Sequence, residues 1–340
     1  MRQVGWALHD GGVAGSDGAA LSGGPLWSPG DSARVQALRA RQMYPAILWL
    51  GPVYGVMEQT AAGWRMDSMR ALLPQDARDS LGWWLRVLAR RQSTHPAARE
   101  ECWAASAVLE TERLNDIVVA GRRFKVVRAD QFCRFSSVAG PEPPRAADAR
   151  AGADAGISGG TDPQWELLGG GLLGPARTPG GAALPGERWE AVPEGPMVPS
   201  EVTRDARAAL STHPGIAMLA TRFAAAEDID GSWPPLGGTQ ASPGEARRVL
   251  AAHFGSPIAR IISRMSSEDL GACLHAAQRL ERDQRNQMTT AGRRFRIIRV
   301  ETAVRVGLDG PEPPRPSDHD PNPPLAGETA ELRTWDLTEI

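Results

Sequence analysis

The sequence predicts an α+β protein that arose by tandem duplication, each module being an antiparallel sheet covered by a helical hairpin. The stretch Ala-Gly-Arg-Arg-Phe occurs at 120–124 and again at 291–295. Gly-Pro-Glu-Pro-Pro-Arg follows it both times, at 140–145 and at 310–315. Two long blocks at nearly equal spacing are not expected by chance, so we infer an internal repeat. Because a module can bury its unpaired face against its copy, we expect an intrachain pseudo-dimer with pseudo-two-fold symmetry, and a monomeric chain.

Composition bounds the size and class of the protein. The chain has 340 residues, enough for two ordinary domains, and its apolar fraction of 41% and charged fraction of 23% are typical of soluble globular proteins. The formal net charge of −2 gives no overall field that attracts nucleic acid or anionic lipid. We find no signal peptide and no run of 18 apolar residues, and therefore expect a cytoplasmic protein without membrane contact.

Glycine and proline, 37 and 28 residues, cluster between the modules and at the ends of the chain. Segments with too little apolar surface to offset chain entropy are expected to be disordered. The predicted organisation is a disordered Gly-rich arm at 1–31, a first module at 32–146, a Gly/Pro-rich linker at 147–199, a second module at 200–320 and a tail at 321–340.

The sequence pattern of each module predicts a helix, two strands, two helices and two strands. In the first module we expect a strand at 47–58 that is bulged or kinked at Gly51-Pro52, since proline cannot donate to a ladder. Pro74 and Pro96 begin two helices with apolar stripes, and Ala120-Gly121 is the turn of a β-hairpin. The predicted elements are a helix at 33–42, strands at 47–58 and 64–66, helices from 74 and 96, and strands at 117–119 and 122–135.

The second module shows the same signals with one difference. Ser242-Pro243-Gly244-Glu245 predicts a capping box with proline at the first helical position. Pro257 falls within the following helical pattern, so we expect that helix to kink or restart at Ser256. The next helix is predicted to begin at Ser266.

The basic strand after the Ala-Gly turn is the best candidate for function. A sheet face of cations with aromatic neighbours suits phosphates and stacked bases. About six phosphate contacts would make log affinity fall with log salt at a slope of about −5. The candidate binding surface comprises Arg122, Arg123, Lys125, Arg128, Arg293, Arg294, Arg296 and Arg299.

A structural interpretation of the same residues is favoured. Arginines at a strand edge discourage edge-to-edge pairing. Arg128 and Arg299 follow core-facing residues on their strands, so they are also expected to pair internally with a carboxylate such as Glu110 or Glu281.

The repeated Pro-rich segment prefers the polyproline II conformation, and its Pro-x-x-Pro spacing superficially resembles a ligand of SH3-type domains. We favour a segment that packs over its own module, against a tryptophan, and ends the domain. In the first long helix, Trp84 lies within the apolar stripe and Trp83 lies beside it. An aromatic at such a place is expected to belong to a core between domains, whereas an exposed one would indicate a partner-binding hot spot.

No catalytic, metal or cofactor motif is found. The cysteines Cys102, Cys133 and Cys273 are too few and too scattered for a disulfide framework or a zinc site. The six histidines form no cluster at ligand spacing. We therefore expect no catalytic, cofactor-binding or metal-binding residues and no cofactor.

Three motifs together resemble an uncharacterised family of actinobacterial proteins that carry this module in tandem and whose function is unknown. They are Pro-Gln-Asp-Ala-Arg-Asp-Ser-Leu at 74–81, Ala-Gly-Arg-Arg-Phe in both copies and Gly-Pro-Glu-Pro-Pro-Arg-Pro-Ser-Asp at 310–318. The resemblance covers roughly residues 32–320 and implies a soluble protein of two modules. It assigns no activity and no catalytic residue.

The predicted function is a non-enzymatic interaction or regulatory role with an unknown protein partner. The first alternative is nucleic-acid binding through the paired Arg-rich strands. The second is an enzyme with a site in the cleft between the modules.

Overall fold

The computed structural model describes residues 29–322 except 62, 92–94, 147, 149–197 and 257–265. Within these residues the chain is a mixture of helices and antiparallel strands, which confirms the mixed fold class. Most of the predicted arm, nearly all of the linker and most of the tail lie outside the described residues. The helices are α1 (Pro29–Met43), α2 (Pro74–Arg91), α3 (Pro96–Leu109), α4 (Ser200–Thr212), α5 (Pro243–Gly255) and α6 (Ser267–Arg282).

Ten strands occur in the described part of the chain, and every pairing given for them is antiparallel. The order of hydrogen-bonded neighbours is β10-β9-β4-β1-β2, with β3 and β5 paired to β4, and β6, β7 and β8 paired to β9. The strands are β1 (Ala46–Thr60), β2 (Gly63–Ala71), β3 (Asp116–Val119), β4 (Arg122–Ser136), β5 (Gly140–Pro141), β6 (Gly215–Met218), β7 (Arg222–Asp228), β8 (Gln287–Thr290), β9 (Arg293–Gly307) and β10 (Gly310–Pro311).

The chain divides into two compact units, and each unit takes residues from both halves of the sequence. Unit 1 comprises the described residues within 1–51, 131–162 and 221–302. Unit 2 comprises the described residues within 52–130, 163–220 and 303–340. Each unit thus contains the central part of one predicted module together with the first helix and the last strands of the other.

In unit 2 the helical hairpin α2–α3 covers one face of the strands. Leu85, Leu109 and Cys102 from the helices pack with Phe124 and Val126 of β4 in one buried cluster. Phe124 and Val126 therefore face the helices. Side chains of β4 alternate between faces, so Val127 belongs to a second cluster with Met57, Trp64 and Val304.

Unit 1 repeats this arrangement with the helices α5 and α6. Leu250 and Cys273 pack with Phe295 and Ile297 of β9 in one cluster. Ile298 and Val300 belong to another cluster with Trp233 and Cys133. The cysteines are buried and free.

The predicted turn between β3 and β4 is confirmed. Ala120 and Gly121 both have positive φ angles, 49° and 72°, and Ala291 and Gly292 repeat them at 48° and 69°. Positive φ at both central residues is the requirement of the two-residue hairpin turn that matches strand twist. Val119 pairs directly with Arg122 across it.

Other elements differ in detail from their predictions. The strand β1 continues through Gly51-Pro52, where Gly51 takes a φ of 112°, and β2 is longer than predicted. The capping box at Ser242 and Glu245 is present, and α5 ends at Gly255. After β7 the chain makes isolated bridges where the first half has the regular strand β2, consistent with the missing N–H groups of Pro234 and Pro235.

Candidate functional site

In unit 2 the predicted basic residues lie among carboxylates rather than on an open surface. Arg122 donates from Nε to Glu58 Oε1 at 2.7 Å. Arg123 binds Asp116, with Nε 2.9 Å from Oδ1, and also reaches Asp309. Lys125 is only 4% exposed, and its Nζ lies 2.6 Å from Asp309 Oδ2.

The cations Arg123 and Lys125 also lie over the ring of Trp64, at 5.6 and 5.5 Å from its centroid. A cation over an indole face is attracted by the ring quadrupole. The hydrogen bonds from Lys125 and Arg123 lower the pKa of the Asp309 carboxyl below its usual value. The group is a sandwich of one indole, two cations and two carboxylates. The positive charges of Arg123 and Lys125 are balanced by the negative charges of Asp116 and Asp309.

Unit 1 contains a related stack of one indole and two cations. Arg293 donates to Glu227, with Nη2 2.6 Å from Oε2, and Arg294 donates to Asp228 with Nε at 2.8 Å from Oδ2. Arg294 and Arg296 lie 5.5 and 5.4 Å from the ring centroid of Trp233. Arg296 has no carboxylate partner among its described contacts; it donates to the Pro141 carbonyl and to the Gln287 side chain.

The Pro-rich segments pack against these same tryptophans. A Cβ atom at Gly310 would lie 2.6 Å from the Trp64 ring, and one at Gly140 would lie 3.2 Å from Trp233. Each segment therefore touches a tryptophan from the other half of the sequence. The prediction that the segment meets a tryptophan is correct, but the prediction that it covers its own module is wrong.

The segments are held by backbone and side-chain hydrogen bonds to the long strands. Glu312 donates its N–H to Arg305 O and accepts at its carbonyl from the N–H of Arg128. Its buried carboxylate accepts from Arg315, with Nε 2.6 Å from Oε1. The strands β4 and β9 can form these backbone hydrogen bonds only if the Pro-rich segment is extended. Its prolines favour an extended conformation.

Arg128 is the centre of a buried ionic network in unit 2. Its Nη1 lies 2.7 Å from Asp130 and its Nε 3.1 Å from Asp318, while Asp318 also accepts from the N–H of Arg315. Burial alone would lower the pKa of the Arg128 guanidinium, but the charges of Asp130 and Asp318 outweigh burial and raise it. The expected partner Glu110 instead pairs with Arg86, so the predicted partner was wrong.

Arg299 occupies the same role in unit 1. It pairs with Glu301 and with Asp148, and it donates from Nη2 to the Thr221 hydroxyl at 2.7 Å. Glu142 and Arg145 repeat the pair of Glu312 and Arg315. The acids Asp148 and Asp318 were missed from the sequence, although each follows the arginine of its Pro-rich segment by three residues, and that shared spacing was a visible signal.

The cysteines offer no activated nucleophile. Burial raises the pKa of Cys102 and of Cys273, and it raises the pKa of Cys133 to about 12. A thiol with a raised pKa has little of the reactive thiolate at neutral pH. No cluster of three or more metal-ligating side chains is found among the described residues.

An exposed aromatic on α2 is the feature of this molecule most typical of a binding surface. Trp84 is 7% exposed and packs in the core of unit 2, whereas its neighbour Trp83 is 57% exposed. Leu81 and Leu85 on the same helix are buried. The helix α2 therefore keeps its apolar stripe inside and places one large indole outside.

A small cleft lies along the same helix. It is shallow and open to solvent, and it is lined by Arg78, Asp79, Gly82, Arg86, Ser106, Leu109 and Glu110. Asp79 and Arg86 are four residues before and three after Trp83, so all three share one helix face. Burial, together with the charge of Asp76, raises the pKa of the Asp79 carboxyl.

The fold and these sites define a mixed helix-and-strand protein with antiparallel strands, buried arginine–carboxylate networks and an exposed indole beside a cleft. A family model for a family of unknown function, DUF5954, matches residues 31–321, and the chain belongs to that family. This confirms the resemblance to a family without an assigned activity. No curated protein and no solved structure matches the chain. None of the described helices is long and apolar enough to cross a membrane.

Proposed function

We propose that the protein is a non-enzymatic interaction protein that binds a protein partner through the face of α2 around Trp83. The observation that carries this proposal is the 57% exposure of the indole beside the cleft. Tryptophan is enriched among the residues that dominate binding energy at protein interfaces. Its large apolar area is costly to leave in water unless a partner covers it.

The corresponding helix of unit 1 supplies an internal comparison. Counting from Pro74 and Pro243, the position of Trp83 corresponds to Ala252, which is also exposed on its helix. The fold therefore accommodates alanine at this place. Trp83 is consequently better explained by contact with another molecule than by packing within its own unit.

The exchange of segments between the two halves of the sequence supports tandem duplication as the origin of the fold, which we also propose. The stacks of cations on Trp64 and Trp233, the two buried networks and the two turns recur at matching positions. Nucleic-acid binding has weaker support, because the candidate cations already have carboxylate, carbonyl or amide partners. For the enzyme alternative we assign no residue to catalysis.

The experiment compares capture of cellular proteins by the immobilised full-length protein and by two variants. Trp83→Ala should lose a stoichiometric protein partner, with affinity lower by about 30-fold or more for a hot spot of about 2 kcal/mol. Leu72→Ala is the matched control, since Leu72 is also exposed but lies outside α2. Thermal unfolding should show that both variants keep the stability of the parent.

Equal capture by Trp83→Ala and the parent protein would refute the proposed surface. Capture that is lost in both variants would also refute it, because the binding would then not depend on the face of α2.

A further inference from the structure

The segment of residues 316–322, which follows the second Pro-rich motif, runs over unit 2 as a strap. Its prolines Pro316 and Pro321 are exposed, and it contributes no residue to the apolar clusters of the described chain. Hydrophobic burial, the dominant favourable term in folding, therefore does little to hold it. Its attachment rests on polar contacts.

Four of its residues make polar contacts that attach the described part of the strap to unit 2. Asp318 pairs with Arg128, and the N–H of Ser317 donates to Asp205 Oδ2 at 2.9 Å. The Asn322 carbonyl accepts from Arg113 at 3.0 Å. Asp320 is the fourth point of attachment, and it is bidentate.

The carboxylate of Asp320 closes the N-terminal end of α2. Its Oδ1 accepts from the N–H of Gln75 at 3.0 Å, and its Oδ2 accepts from Arg78 Nη1 at 2.7 Å. Arg78 is only 3% exposed. A carboxylate at this place satisfies a free backbone donor of the helix and complements the helix dipole.

The corresponding helix α5 carries a cap of its own. Ser242 and Glu245 cap it from within, and Arg247 donates to Asn286 Oδ1 and to the carbonyl of Arg285. The residue before Pro74 is Leu73, whose side chain cannot accept a hydrogen bond. The helix α2 thus takes its cap from a remote part of the chain, and Arg78 takes its charge partner there too.

We propose that the strap is an ionic latch that opens without unfolding unit 2, and that its opening uncovers Arg78 at the end of the cleft near Trp83. An opened latch would leave a guanidinium and a helix N-terminus available to an acidic group of the partner. This role in binding rests on the proposed function, whereas the opening itself does not. Because polar contacts and not apolar burial hold the strap, removing the charge of Asp320 should open the latch selectively.

Two readouts on the full-length protein test the latch. Hydrogen exchange should show the amides of Ser317 and Gln75 exchanging at least tenfold faster in Asp320→Asn than in the parent, while the β4 amide of Val126 is unchanged. Asp76→Asn, which also removes a carboxylate from the first turn of α2, should leave the Ser317 amide unaffected.

Phenylglyoxal, which modifies accessible arginines, provides the second readout. Arg78 should be modified faster in Asp320→Asn, and Arg247 should serve as the unreactive internal control. If the Ser317 amide exchanges only as fast as the Val126 amide under all conditions, the latch is overturned, because the strap would then open only with global unfolding. Unchanged reactivity of Arg78 would overturn it as well. A Trp83→Ala variant that keeps its partner would instead refute the proposed function and leave the latch intact.

Discussion

Replacing Gly310 with alanine tests the contact between the Pro-rich segment and Trp64. The new Cβ would lie 2.6–2.7 Å from three atoms of the indole, closer than atoms approach without displacement. Gly310 also has a φ of 105°, which is unfavourable for a residue with a side chain. Overpacking costs about 1–3 kcal/mol and backbone strain about 1–3 kcal/mol, so the expected loss of unfolding free energy is about 2–6 kcal/mol.

Urea denaturation followed by circular dichroism measures this loss, and Gly121→Ala is the matched control. Gly121 also has positive φ, but no atom lies within 4 Å of the position that its new Cβ would take. Its substitution should therefore cost only about 1–2 kcal/mol. A double-mutant cycle with Trp64→Ala isolates the steric part, because the clash disappears when the indole is removed.

A cost for Gly310→Ala no larger than that for Gly121→Ala would refute the steric contact with Trp64. An equal cost for Gly310→Ala in the presence and in the absence of the Trp64 indole would refute it as well.

Two further predictions concern buried charge in unit 2. Burial and the neighbouring Asp318 carboxylate raise the pKa of the Tyr54 hydroxyl. Phe223 stands at the corresponding place in unit 1, so Tyr54→Phe should fold but lose about 1.5–3 kcal/mol of unfolding free energy in urea if the hydroxyl donates to this buried charge. A loss below about 0.5 kcal/mol would contradict such an interaction. Burial raises the pKa of Glu58, but the hydrogen bonds and charges of Arg122 and Arg65 outweigh burial and lower the pKa. Glu58 should therefore stabilise the fold above its ordinary pKa of 4.5 and lose that contribution as the pH falls through the lowered value. Urea midpoints across this range should show a smaller acid-induced loss for Glu58→Gln than for the parent, and equal slopes would contradict the assignment.

The order and type of the elements follow from local signals that the sequence shows directly. The capping box at Ser242 and the Ala120-Gly121 turn depend on neighbouring residues, so their chemistry can be read without tertiary information. The alternation of Phe124 and Val127 between faces is likewise a property of any strand. Such features were predictable because only a few consecutive residues determine them.

The pairing of distant segments was not predictable in the same way. In a chain with two similar halves, Gly310 could meet the tryptophan of either half with the same local chemistry. The choice of Trp64 depends on the long-range pairing of strands, which composition and periodicity do not report. The partner Asp309 was missed for this reason, since it is distant in sequence from Arg123 and Lys125, to which it binds.

The places where the two halves differ are more informative about function than the places where they agree. Residues that recur, such as Arg128 and Arg299, are tied into networks that hold the Pro-rich segments and therefore serve the fold of each unit. Trp83 lies on a face of α2, and Asp320 lies on the strap that caps α2. At the corresponding places α5 has Ala252 and an internal cap. The exposed indole and the remote cap therefore occur together at α2, and this is the basis of our proposal that α2 binds a partner under the control of the strap.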